Sequence, residues 1–148
     1  MIRVTAEPID LAAALAALPE SGALATFVGR VRGDDGVSEL LLEHYPGATE
    51  RALEAIAAAA TARWKLEGAV IVHRVGAMAP GEAIVFVGAA AAHRQPALDA
   101  CAFMIDRLKT EAPFWKRETR GREARWVEQR GGDRAAAARW TQDALSSS

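Results

Sequence analysis

The stretch AIVFVGAAAAHRQPALDACAFMIDRLKTEAPFWKRE at 83–118 decides the fold. Its first nine residues form an unbroken apolar run bounded by turn chemistry, the pattern of a buried strand. Pro96 is a favoured first-turn proline, so His93 and Arg94 stand at a helix N-terminus. The helix is expected to run to about residue 110, with Leu98, Cys101, Ile105 and Leu108 turned inward. Pro113 stops it, and residues 114–128 read as two short strands around Gly121. A strand, a helix and a strand thus follow one another with almost no linker.

The same grammar extends towards the N-terminus. Residues 69–75 (AVIVHRV) are a mostly apolar strand, and GAMAPGE at 76–82 is turn chemistry. A long helix over about 48–65 has Leu53, Ile56, Ala60 and Trp64 as its buried stripe. Pro46 and Gly47 separate it from a strand at 37–45. Residues 23–32 (ALATFVGRVR) form another strand, with Ala25, Phe27 and Val31 on one face and Arg30 and Arg32 emerging on the other. The loop GDDG at 33–36 joins these two, so 37–45 is expected to be the partner of 23–32. Residues 2–7 give a first strand, and Asp10 caps a short helix through Leu11, Leu15 and Leu18. Residues 133–145 form a weak alanine-rich helix. Helices set between strands and hairpins read as α+β, in one domain spanning 1–148, with a folded core of about 2–140 and a tail at 141–148.

At 148 residues, 51% hydrophobic and 25% charged, the chain has globular composition, which excludes a disordered or fibrous protein. Its one cysteine excludes a disulfide framework and a cysteine zinc site, and suits a reducing cytoplasm. The N-terminal residues lack a secretory pattern, and no run is apolar enough to span a membrane. The net charge of −1 hides an asymmetry, because residues 107–125 hold seven basic and three acidic groups. A local positive field in a nearly neutral chain fits a small anion better than a polyanion. Only three of the 18 basic side chains are lysine, and two of those, Lys109 and Lys116, fall in this segment. Lysine can lose its proton and act as base or nucleophile, which arginine cannot.

Each candidate has a plain reading beside its functional one. Arg30 and Arg32 share a strand face, which is either a solvated strand end or part of an anion site. His93–Arg94 is either a polar helix start or a place where free N–H groups and the helix dipole receive an anion. Lys109 near a helix C-terminus complements the dipole in any case. Phe114 and Trp115 beside Lys116 and Arg117 suit either a nucleic-acid surface or core aromatics flanked by solvated charges. Glu118 is a carboxylate near the amines. His44 and His73 read as strand histidines, and the three histidines lack metal-ligand spacing. Cys101 lies on an inward stripe, where a buried, inert thiol is the expected outcome. No P-loop or dinucleotide fingerprint is present.

Taken together, TFVGRVR (26–32), LEHYPG (42–47), HRVG (73–76), PGEAIVFVG (80–88), AHR (92–94) and LKTEAPFWKRE (108–118) resemble the catalytic large subunit of molybdopterin synthase over about residues 22–128. The resemblance implies an α/β hammerhead-type fold with an additional small antiparallel β-subdomain, and a central homodimer with a small ubiquitin-like subunit at each end. It implies a sulfurtransferase that converts cyclic pyranopterin monophosphate into the molybdopterin dithiolene. The sulfur would come from a thiocarboxylate on the small subunit's C-terminal Gly-Gly. By the same resemblance Lys109 and Lys116 are catalytic, and Arg30, Val31, Arg32, His93, Arg94, Arg117 and Glu118 line the substrate pocket. Phe27 and Ile105 are placed near the incoming tail. No metal or cofactor is implied, and an arginine near the C-terminus (Arg130, Arg134 or Arg139) is a candidate to reach the neighbouring protomer's site. The acidic GDDG loop departs from the family pattern and weakens anion attraction near Arg32. A non-catalytic RNA- or anion-binding module is the alternative, and it requires steeply salt-sensitive binding. A structural subunit without turnover is a third reading.

Overall fold

The computed structural model describes residues 1–121, 123–127 and 140. Within them the elements run β1 (Ile2–Thr5), α1 (Leu11–Ala16), β2 (Ala23–Arg30), β3 (Val37–His44), α2 (Ala48–Trp64), β4 (Gly68–Arg74), β5 (Gly76–Met78), β6 (Ala83–Ala91), α3 (Arg94–Glu111), β7 (Phe114–Arg120) and β8 (Glu123–Val127). The class is α+β with two sheets, as the pattern of apolar runs implied. The weak helix expected at 133–145 lies outside the described residues, except for Trp140.

The first sheet has the order β1-β4-β6-β2, with β1 parallel to β4 and the other pairs antiparallel. Strict alternation gives this sheet two apolar faces. Ile71, Val85, Val87 and Ala89 pack with Leu53, Ile56, Ala60 and Met104 beneath α2 and α3. Val70, Val72, Phe86 and Ala90 pack with Ala14 and Leu18 from α1 on the other side. This is why β4 and β6 read as nearly continuous apolar runs: both faces are covered. The short α1 is held at its start by Asp10, whose side chain accepts from the Ala13 N–H at 3.0 Å.

The second sheet, β5-β3-β7-β8, is antiparallel and smaller, with its own cluster of Val31, Leu40, Leu42 and Met78. Here two expectations are corrected. β3 does not pair with β2; β2 pairs with β6, and β3 lies between β5 and β7. The cause is local: the register shifts between Gly29 and Arg30, and Val31 turns into the second sheet's core, so the chain leaves the first sheet before GDDG. The turn segment 76–82 likewise begins as the short strand β5. On α3 the inward stripe is rotated from expectation, because Ala97, Ala100, Phe103 and Met104 are buried with Cys101 and Leu108. Leu98 is 55% exposed. Small alanines on the buried face let α3 lie close to the sheet, leaving the larger leucine outside.

One glycine fixes where α3 begins. A methyl group built on Gly22 overlaps the Ala92 carbonyl oxygen, immediately before His93. The exchange Gly22→Ala is expected to cost about 1–3 kcal/mol of stability through overpacking. Denaturant titration of both chains measures it, and an unchanged midpoint would refute it.

Candidate active site

The two lysines are brought together by the way α3 ends. Ala112 adopts an extended conformation after the last turn, the Phe114 N–H donates to the Ala112 carbonyl at 2.9 Å, and β7 starts there. Lys109 lies in the last turn of α3, and Lys116 is the third residue of β7. Alternation puts Phe114, Lys116 and Glu118 on one face of β7 and Trp115 and Arg117 on the other. The third lysine has a structural position: Lys65 closes α2 in the left-handed conformation, at φ 52°.

Phe114 is one contact between the two sheets. Its ring lies flat on His73 of β4, with centroids 3.9 Å apart and planes 18° from parallel. His73 is only 5% exposed, and its Nδ1–H donates to the Arg74 carbonyl at 2.9 Å. Burial, with further lowering by the Lys116 and Lys109 ammonium groups and His44, pushes its pKa down to about 4 against the opposing hydrogen bond to Arg74. Both amines therefore stand near one uncharged imidazole. His44 borders the same place: its ring centroid is 6.5 Å from Phe114, and its Nδ1 is buried without a hydrogen-bond partner.

A pH effect follows. His73 takes up its proton near pH 6.5 when unfolded but only near pH 4 when folded. Between those values the unfolded chain binds more protons, so stability falls as pH drops through the window. The full loss is about 3 kcal/mol, from 1.36 kcal/mol per pKa unit. His73→Phe should flatten this part of the stability–pH curve, and an equal slope in both chains would contradict the assignment.

The arginine loop lies at the same end of the first sheet. Gly29, Val85 and His73 form one row across β2, β6 and β4, so Arg30 follows a residue two strands, or about 10 Å, from His73. Arg30 donates to the Gly81 carbonyl at 3.0 Å, and the Val31 N–H donates to the Glu82 carbonyl at 2.9 Å. The turn they grip is braced by Arg74, which pairs with Glu82 at 2.7 Å. The Arg74 hydrogen bond, followed by that from the Ala79 N–H, holds the Glu82 carboxyl below its ordinary pKa. Val31 itself is buried among Leu40, Leu42 and Met78, so it supports the loop from below. Arg32 is exposed and pairs with Asp34 at 3.6 Å. Such an open pair contributes under about 1 kcal/mol, so an anionic ligand can displace it.

Phe27 and Ile105 are half-buried at the edge of the main core, on β2 and α3, and Ile105 stands one helical turn before Lys109. Glu118 shares the Lys116 face and pairs with Arg120 at 3.2 Å. Arg117 is directed away from Lys116 by the alternation of β7, and its guanidinium lies 5.8 Å from the centre of the Trp126 ring. The expected lining role of Arg117 therefore has no support within one protomer.

His93 and Arg94 are elsewhere. His93 is the N-cap of α3 and Arg94 its first residue, both exposed. Lys109 is at the other end of the same helix, about 24 Å away at 1.5 Å per residue. Their end of the sheet is the Ala23–Ala91 pair, whereas Arg30 pairs with Ala83. One protomer thus holds His93–Arg94 at the start of α3 and Lys109 and Lys116 at and beyond its end, with Arg30 at the same end of the first sheet as His73. Arg130, Arg134 and Arg139 fall outside the described residues.

His73 and His44 were read from sequence as ordinary strand histidines, and that is where they sit. What sequence reading misses is that β7 returns to cover them. The available signal was HRVG: a histidine ending an apolar strand, with an aromatic–lysine strand still to be placed. Cys101 is buried, its Sγ lies 3.8 Å from the Val87 carbonyl, and desolvation raises its pKa to about 11. Both features disfavour the thiolate that a nucleophile needs. Among the described residues no histidine, cysteine or carboxylate cluster fits a metal ion. The aromatic–basic segment is not a continuous stacking platform, since Phe114 is committed to His73 and Trp115 packs edge-on against Tyr45 at 4.5 Å.

The chain matches the model of one protein family, described as MoaE protein, over residues 4–111. It is 57% identical over 122 residues to the molybdopterin synthase catalytic subunit of Pseudomonas aeruginosa, covering 80% of this chain and 81% of that one. The corresponding subunit of Ralstonia nicotianae is 50% identical over 146 residues, covering 94% and 83%. The solved molybdopterin biosynthesis MoaE protein from Burkholderia ambifaria superimposes with a TM-score of 0.80 at 52% identity, covering 95% of this chain and 97% of that chain.

Proposed function

Because this chain belongs to the MoaE protein family, whose curated relatives are molybdopterin synthase catalytic subunits, we propose that its lysine end is the reaction centre of that synthase. The observation that carries the reading is the convergence of Lys109 and Lys116 on one buried, uncharged imidazole at the junction of the two sheets. Two amines near His73, with Arg30 at the same end of the first sheet, form a positive site, and the chain's one cysteine, Cys101, is buried. Such a site suits a reaction whose participants are anions and whose reactive sulfur is brought from outside.

The reactants are a cyclic pyranopterin monophosphate and the C-terminal thiocarboxylate of a small ubiquitin-like subunit, both negatively charged. The thiocarboxylate sulfur bonds to a pterin side-chain carbon and leaves the small subunit when water cleaves the acyl–sulfur bond. The small subunit is returned as a carboxylate. Each lysine stabilises, as its ammonium, the oxyanion that forms on the acyl carbon, or supplies a proton as ammonium and removes one as amine while carbon–oxygen bonds give way to carbon–sulfur bonds. Phe27 on β2 and Ile105 on α3, the latter one turn before Lys109, give the incoming tail an apolar approach. Cys101 takes no part, being buried and protonated. A single buried thiol also suits a cytoplasmic setting.

His93 and Arg94 join this chemistry from a second protomer. One chain holds them about 24 Å from Lys109 along α3, so they cannot share a small substrate with its lysines. A twofold mate in a homodimer can present its His93–Arg94 end to the lysine end of this chain, and isologous pairing then makes two equal sites. The pterin and its phosphate would bridge the two ends.

Reconstitution tests the reading. The chain, mixed with a thiocarboxylated small subunit and the pyranopterin precursor, is expected to yield the dithiolene and a small subunit in which oxygen has replaced sulfur. Retention of all sulfur on the small subunit would overturn it. Salt-sensitive RNA binding with no sulfur transfer would favour the binding-module reading instead.

A further inference from the structure

We propose that His73 is a positioning residue of the lysine site: its ring, clamped between the sheets, sets the Lys116 amine relative to that of Lys109 and offers the amines a lone pair at Nε2. The proposal rests on the reading of the two lysines given above.

The geometry begins with where β4 puts the residue. His73 follows Ile71 on the helix-facing side of the first sheet, in a row with Val85 and Val4. That row is otherwise apolar, and a hydrocarbon side chain would fill the space without the cost of burying an imidazole. The ring is nonetheless fixed by a directed bond. Its Nδ1–H goes to the Arg74 carbonyl, which sets the tautomer and leaves the lone pair on Nε2. Its face is covered by Phe114, the first residue of β7. Phe114 comes three residues after the end of α3 and two before Lys116, on the Lys116 face. Any displacement of the Phe114 ring therefore moves Lys116 relative to the helix that carries Lys109.

The charges around the ring agree with this placement. Lys109 from α3, Lys116 from β7 and His44 from β3 all disfavour a proton on His73, adding to its burial. Its sheet neighbours, Val4 on β1 and Val85 on β6, bring no titratable group. The imidazole thus stays an acceptor at neutral pH, and an ammonium is the kind of donor it would meet.

His73→Phe keeps a flat ring and removes both nitrogens. In the reconstituted synthase it is expected to leave KM for the precursor and affinity for the small subunit unchanged. Its kcat should fall about 10- to 100-fold, the effect of losing a hydrogen bond to a charged group. The alkaline limb of the kcat–pH profile should move to lower pH, because an ammonium without its acceptor releases its proton more readily. Wild-type kcat with an unmoved profile would overturn the proposal. Long-range proton–nitrogen NMR of the His73 ring in the full chain gives a reading that does not depend on that variant folding. The Nδ1–H tautomer is expected, with an Nε2 resonance that shifts in Lys109→Ala or Lys116→Ala. The Nε2–H tautomer, or indifference to both exchanges, would overturn it. If those two lysine variants keep full activity, the lysine reading fails; if they are inactive while His73→Phe is normal, only the role of His73 fails.

Discussion

Lys109→Ala and Lys116→Ala are each expected to lower the rate of dithiolene formation by about 100- to 1,000-fold, the range seen when one preorganised oxyanion donor is lost. Both side chains are on exposed residues, so neither exchange opens a cavity, and thermal unfolding and small-subunit binding should stay close to wild type. The arginine variants separate the possible roles. Lys109→Arg and Lys116→Arg retain a charge but cannot release a proton at working pH. A lysine that only stabilises negative charge will be partly rescued by arginine, whereas one that moves protons will not. Single-turnover rates with saturating precursor measure this directly, and full activity in both alanine variants would refute the assignment.

The sequence made most of the first sheet and its helices legible because their signals are local. The apolar run 83–91, Pro96 and Pro113 bound β6 and α3 closely, and Asp10 caps α1 as its position suggested. Strand pairing was harder, because it depends on what the chain does at a single bulge. The register shift at Gly29/Arg30 sends Val31 into a second core, and nothing in ALATFVGRVR distinguishes that from a simple hairpin. Leu98 misled for a related reason: on a helix rich in alanine, the small side chains define the close-packed face.

The candidate site was legible as residue types and only partly as geometry. Lysine scarcity singled out Lys109 and Lys116, and α3 with its abrupt stop brings them together. The contact of His73 with the lysine strand was invisible in sequence, since Phe114 reaches it from a strand that arrives about 40 residues later. Arg117 was placed in the pocket with Lys116 by the family resemblance, but neighbouring residues on a strand lie on opposite faces. His93 and Arg94 were grouped with the lysines by charge, and the length of α3 holds them apart.

That separation gives the second large effect. If each site takes its lysines from one protomer and His93–Arg94 from the other, two inactive proteins should repair each other. Arg94→Ala and Lys116→Ala chains, each nearly inactive alone, can be co-expressed with different affinity tags and the mixed dimer isolated by tandem purification. In that dimer one site carries both exchanges and the other carries neither. The loss in each parent should not be structural, since Arg94 and Lys116 are exposed and the His93 side chain makes no capping hydrogen bond. Sulfur transfer by the isolated mixed dimer, with thiocarboxylated small subunit and precursor, is therefore the decisive measurement. The shared-site arrangement predicts about half the wild-type rate, one working site of two. A mixed dimer as inactive as its parents would contradict it.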